Sequence, residues 1–125
     1  MGIPTDKSAI RDASTVILWR RGTDGPEVLM GQRGSGAAFM PDKFVFPGGA
    51  IDAGDADVTL SGQPDATCLR RLAMETAPNR VTALLAGAIR EVWEETGLLL
   101  GRPAAWDPPG PDWASFAASG YAPSA

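Results

Sequence analysis

At 125 residues the chain has room for one domain with a modest core. Its net charge of −4 argues against generic nucleic-acid binding, no run approaches the length of a membrane span, and the start lacks the basic-then-apolar pattern of a signal peptide, so the cytoplasm is the default location. A single cysteine, Cys68, rules out an internal disulfide and reads as a packing residue, while the lack of histidine removes His-based triads, His general bases and the commonest zinc ligand.

Thr15-Val16-Ile17-Leu18-Trp19 reads as a buried strand because β-branched residues dominate it. The turn formers Arg21 to Pro26 follow, and then a second strand over Glu27–Arg33, which together suggest a hairpin with a medium loop. Gly34 to Lys43 reads as loop. Phe44-Val45-Phe46 is a short strand running into Pro47-Gly48-Gly49. Two glycines after a proline let backbone approach a ligand where side chains would obstruct it, although such a triplet is more often a plain turn. Asp52 to Asp57 continues as an acidic turn, and a helix is expected over Ala66–Met74.

A long helix is expected from about Arg80 to Thr96, with Asn79 or Thr76 able to cap its start and Gly97 placed to end it in a left-handed conformation. Leu85, Ile89, Val92, Trp93 and Thr96 make one face of it, and Gly87 inside it hints that something packs close there. On the other face Glu91, Glu94 and Glu95 fall within about a third of the helix circumference. Carboxylates held that close repel one another unless something positive sits among them, and a hard divalent cation is the natural candidate. The alternative is a solvated acidic face. Beyond Leu100 the chain is rich in Gly and Pro, with one short helix over Asp112–Ser119 and no convincing strand. Trp106 and Trp113 could stack on a base, or close a core as aromatic residues more often do.

Gly48-Gly49, the acids after them, and Arg90-Glu91-Val92-Trp93-Glu94-Glu95-Thr96-Gly97-Leu98 resemble the Nudix hydrolase box. The second half matches at every fixed position. In the first half Asp55 stands at the usual Glu, and 34 residues separate it from Arg90 where the ordinary box has seven. The chain therefore looks like a long-insert Nudix protein, similar to the branch that includes an animal peroxisomal coenzyme A diphosphatase. Phe39-Met40-Pro41, Arg33 and Phe46-Pro47-Gly48-Gly49 carry that likeness, whereas Gly34, Ala38 and Asp42 depart from the coenzyme A motif.

The resemblance implies an α+β fold: a Nudix-type α/β/α sandwich with a mixed sheet and a helical insertion within the box. Residues 1–125 would form one domain, with 56–79 as the insertion and 101–125 as a Pro/Gly-rich tail with a short helix. Because the family continues with more strand after the box helix, the domain is expected to be incomplete at its C-terminus, exposing open edges and apolar surface. The activity implied is metal-dependent hydrolysis of a nucleoside diphosphate linked to another moiety, coenzyme A or its esters being one class. A non-catalytic nucleotide-binding module and an inactive truncated fragment are the alternatives. Mg²⁺ or Mn²⁺ would be the cofactor, held by Glu91, Glu94, Glu95 and the Gly48 carbonyl. Glu91 would bind metal, deprotonate water, or do both, and Arg90 would serve the chemistry by holding a glutamate in place. Asp52 and Asp55 could support the metal shell through water, and Arg33 could contact substrate phosphate. The partner would be a small nucleotide-linked diphosphate, with no nucleic acid and no membrane.

Overall fold

A computed structural model describes residues 11–32 and 43–125 of the chain. Arg33 and the stretch from Gly34 to Asp42, including Phe39-Met40-Pro41, lie outside the described residues. The first extended run contains β1 (Ala13–Thr15) and β2 (Trp19–Gly22), and the second contains β3 (Gly25–Val28) and β4 (Gly31–Gln32). The third contains β5 (Phe44–Val45) and β6 (Gly48–Ala50). β1 pairs with β6, β2 with β3 and β4 with β5, all antiparallel. Backbone bonds from Val16 N to Pro47 O (2.8 Å) and from Leu29 N to Leu18 O (2.9 Å) carry two of these ladders past the strand ends. The β2–β3 hairpin is tighter than the expected medium loop, since Gly22 faces Gly25 across Thr23-Asp24 and Gly25 takes φ +126°.

The stretch expected to be a buried strand is half-buried instead. Ser14, Val16 and Leu18 face inward, whereas Ile17 and Trp19 are 60% and 64% exposed, the period-2 alternation of a strand covered on one side only. Val28, register partner of Trp19, together with Phe44 and Leu98, is exposed as well.

The insertion forms α1 (Ala66–Ala73), capped by the Asp65 side chain accepting from Cys68 N at 2.8 Å. No residue of α1 is buried, and Cys68 is exposed rather than a packing residue. The box helix α2 (Pro78–Thr96) starts earlier than expected. Neither Asn79 nor Thr76 caps it: Ala77 is the N-cap and Pro78 fills the first turn, where a missing N–H costs nothing. It ends at Gly97 with φ +75°. Gly87 does admit a close neighbour, since a Cβ there would lie 2.9 Å from Ile51 Cγ2 and 3.1 Å from Asp55 Oδ2.

The Pro/Gly-rich segment holds two strands that its composition does not suggest. β7 (Gly101–Pro103) and β8 (Tyr121–Pro123) pair antiparallel around α3 (Ala114–Ala118) and the 3-10 turn Pro111–Trp113. The β7–β8 ladder is extended by Ala104 N to Gly120 O at 3.0 Å and Ser124 N to Leu100 O at 3.1 Å, while the Pro123 carbonyl accepts from Ser61 N at 2.8 Å and Ser61 Oγ at 3.0 Å, tying β8 to the stretch before α1. This segment also supplies the core. Trp113 and Phe116, both fully buried, pack with Val58, Leu60, Ala86 and Ile89, and Trp106 leans on them. Trp113 and Phe116 meet at 5.2 Å between centroids, and Trp106 and Trp113 at 5.6 Å, edge to face. Trp113 is enclosed and offers no open face for a base, whereas Trp106 is half-buried and donates from Nε1 to Tyr121 O at 2.9 Å.

The architecture is α+β. The mixed sheet implied by the resemblance is not assembled among the described residues, where all strand pairing is antiparallel in ribbons of two. α2 packs chiefly on the acidic 3-10 turn Ala53–Asp57 and on β1 and β6, which brings the Gly48-Gly49 bend against its glutamates. Among the described residues no helix is long and apolar enough to cross a membrane.

Candidate functional site

Arg90 stands at the centre of the site. Its side chain is only 2% exposed, although its neighbours in sequence look like a solvated acidic face. Nε and Nη2 donate to Asp55 Oδ1 and Oδ2 at 3.0 and 3.1 Å, a two-toothed grip on a carboxylate that is itself fully buried. Nη2 also donates to the Ala50 carbonyl at 3.1 Å. The outer nitrogen Nη1 reaches Glu91 Oε1 at 3.2 Å, Glu94 Oε2 at 3.0 Å and Asp52 Oδ2 at 3.3 Å. Burial by itself would lower the Arg90 pKa. Hydrogen bonds and charge from Asp55, then from Glu94, outweigh it and hold the guanidinium above its ordinary value.

Asp55 is saturated. Oδ1 takes Arg90 Nε and the Trp113 indole N–H at 2.9 Å, while Oδ2 takes Arg90 Nη2 and the Asp52 amide at 2.8 Å. Its carboxylate is sealed beneath α2 with both oxygens doubly engaged. Gly87 makes this possible by leaving room under the helix for Oδ2. Asp52 is different: its side chain is 43% exposed, beside Arg90 and Asp112. Desolvation pushes its carboxyl above the usual range, Arg90 opposes that, and Asp112 and Asp55 add to it.

The glutamates meet the glycine bend. Gly48 takes φ +155°, and a Cβ there would strike the Ser14 carbonyl oxygen. Its amide, rather than its carbonyl, makes the contact with the ridge, donating to Glu95 Oε2 at 3.1 Å. A Cβ on Gly49 would lie 2.6 Å from Glu91 Cδ, so the Glu91 carboxylate lies directly over that residue. Burial raises the Glu91 carboxyl, Arg90 pulls it back by charge and hydrogen bond, and Glu94 and Glu95 push it up again. Their mutual influence places the three glutamates in one electrostatic neighbourhood.

The positive group that the sequence demanded among these acids is thus partly supplied by the chain. One guanidinium still faces Asp52, Asp55, Glu91 and Glu94, with Glu95 acting on Glu91 beside them, which leaves the neighbourhood strongly negative. The donor set suits a hard divalent cation in type: Glu91, Glu94 and Glu95 each keep one carboxylate oxygen without a partner among the described residues. Convergence is not complete. Among the described residues no three acidic or thiol side chains already surround a common point. Glu94 is 44% exposed and tied to Arg90, and Glu95 is exposed as well. What sequence reasoning missed is the bond from Trp113 to Asp55, which lies 58 positions away with no local signal linking the two.

No family model matches the chain. Over 49 residues it is 47% identical to "Putative nudix hydrolase 7" of Caenorhabditis elegans, a stretch amounting to 39% of this chain and 16% of that protein. The fold is similar to that of a NUDIX hydrolase from Alicyclobacillus acidocaldarius, with a TM-score of 0.63 and 25% identity over 94% of this chain. The chain spans 58% of that structure's length, so it covers less than two thirds of either protein. In sequence and in fold alike, the likeness is to Nudix hydrolases.

Proposed function

We propose that this chain is a Nudix-type diphosphatase, hydrolysing a nucleoside diphosphate linked to another moiety with the help of Mg²⁺ or Mn²⁺. One observation carries the reading: α2 sets Glu91 over Gly49 and Glu95 on the Gly48 amide, beside a guanidinium that grips Glu91 and Glu94. Glu91, Glu94 and Glu95 would hold the ion through their unpartnered oxygens, Glu94 turning from Arg90 to do so. When bound, the ion would neutralise the diphosphate and lower the cost of attack at phosphorus. Arg90 fixes the orientation of the glutamates from below and is too enclosed to meet substrate. Glu91, whose carboxyl is raised by burial, is suited to take a proton from water. Gly49 leaves the space that its carboxylate needs.

Coenzyme A or its esters are the substrate class suggested by Phe46-Pro47-Gly48-Gly49, and by Arg33, which falls outside the described residues. The test is Mg²⁺-dependent release of AMP from ADP-ribose, or of adenosine 3′,5′-bisphosphate from coenzyme A. Glu95→Gln should abolish it. Folded, metal-loaded protein that turns over neither compound counts against the reading. A second reading, a nucleotide-binding module without catalysis, draws on the incomplete convergence of the glutamates. Calorimetric binding of the same compounds without turnover would favour it.

A further inference from the structure

A side chain that merely fills the core has no need of an indole N–H aimed at a buried acid, yet Trp113 has one. Its ring packs edge to face on Trp106 and Phe116, a role that any large aromatic could fill. Its Nε1–H, however, donates at 2.9 Å to Asp55 Oδ1, the same oxygen that takes Arg90 Nε at 3.0 Å. Both Trp113 and Asp55 are fully buried, so no solvent can replace that donor.

We propose that Trp113 is a positioning residue for the site: it locks the Asp55 carboxylate, and through it the Arg90 guanidinium that holds Glu91 and Glu94. Asp55 has four donors, two on each oxygen, which fix its rotation about Cβ–Cγ. Without the indole N–H, Oδ1 retains Arg90 alone, and the carboxylate is free to turn toward Oδ2 and the Asp52 amide. The guanidinium is a rigid plane, so a tilt at its Nε edge moves Nη1 at the other edge. Nη1 is the atom that contacts Glu91 and Glu94. A residue of the C-terminal segment thereby sets the placement of the box glutamates, with the short Asp55 as relay. The consequence for metal rests on the function proposed above, whereas the link to Arg90 does not.

The experiment uses the whole chain carrying Trp113→Phe, with Trp106→Phe as a control that disturbs the same aromatic cluster but donates to Tyr121 O instead. Two quantities are read: the NMR signal and exchange rate of the Arg90 Nε–H, and the affinity for Mn²⁺ by electron paramagnetic resonance. In Trp113→Phe the Arg90 signal is expected to move and exchange faster, and Mn²⁺ to bind about 10–100-fold more weakly, as losses one shell out from a metal do. Trp106→Phe should leave both quantities unchanged. An unmoved Arg90 signal in Trp113→Phe overturns the proposal, as does an equal effect of Trp106→Phe. Unaltered Mn²⁺ affinity beside a moved signal overturns it too. Wild-type protein that binds no Mn²⁺, with the Arg90 signal still displaced by Trp113→Phe, refutes the metal reading and leaves the positioning role standing. Should Trp113→Phe not fold, β-(3-benzothienyl)alanine at position 113 keeps the ring volume and lacks only the donor, and the same outcomes decide.

Discussion

Replacing Arg90 by Met removes the only cation found on Asp55 among the described residues and leaves a fully enclosed carboxylate facing two remaining donors. The two hydrogen bonds lost from Arg90 to Asp55 are charge-assisted, at 3.0 and 3.1 Å, and bonds of that kind contribute about 1.5–3 kcal/mol each. Breaking a buried pair by removing one partner costs about 3–5 kcal/mol, which agrees in scale. For a domain of this length the melting temperature should fall by roughly 12–20 °C. Asp55→Asn should cost less, because Arg90 keeps Glu91, Glu94 and Asp52 as partners. A double-mutant cycle of Arg90→Met and Asp55→Asn, followed by urea unfolding, should give an interaction energy of about 2–3 kcal/mol. An interaction energy below about 0.5 kcal/mol, the scale of an exposed ion pair, would refute the burial argument.

Gly87→Ala sets a helix-propensity gain of about 1 kcal/mol against a Cβ pressed onto Ile51 and Asp55, where overpacking costs about 1–3 kcal/mol. Net destabilisation of up to about 2 kcal/mol is expected by chemical denaturation, and a gain in stability would contradict the close packing. Gly49→Ala meets only the mobile end of the Glu91 side chain, so thermal stability should change little while Mn²⁺ affinity falls by about 10-fold; intact affinity would remove Glu91 from the site. The Glu91 carboxyl is raised above its ordinary value of 4.5, so its ionisation in the folded state costs stability that is intact at low pH and is lost as pH rises through the raised value. Metal-free Glu91→Gln should therefore match wild type near pH 4 and gain on it toward pH 7. Melting curves across that range that show the gap opening in the opposite direction would reverse the assigned sign.

How much was legible in the sequence depended on how local the cause was. The span of α2, its stop at Gly97 and the ridge of Glu91, Glu94 and Glu95 follow from 3.6-residue periodicity and the left-handed freedom of one glycine. The close neighbour of Gly87 was legible as a hint, though not its identity. Sidedness was not legible. Ile17 and Trp19 read as buried because they are apolar and β-prone, and only the placement of the neighbouring ribbons leaves them outside. Arg90 read as a partner of the neighbouring glutamates, but nothing local showed that Asp55, 35 positions earlier, draws it inward. The segment after Leu100 misled in the same way. Its prolines and glycines hide β7 and β8, which pair on either side of a segment whose Trp113 and Phe116 help build the core.

Whether the ridge of α2 grips a divalent cation at the glycine bend is decided by anomalous scattering from a crystal of the chain soaked in Mn²⁺. A peak is expected at coordination distance, about 2.1 Å, from carboxylate oxygens of Glu91, Glu94 and Glu95, with Glu94 turned away from Arg90. A Mn²⁺ peak elsewhere on the molecule, with those three side chains still bound to Arg90 and Gly48, would contradict it.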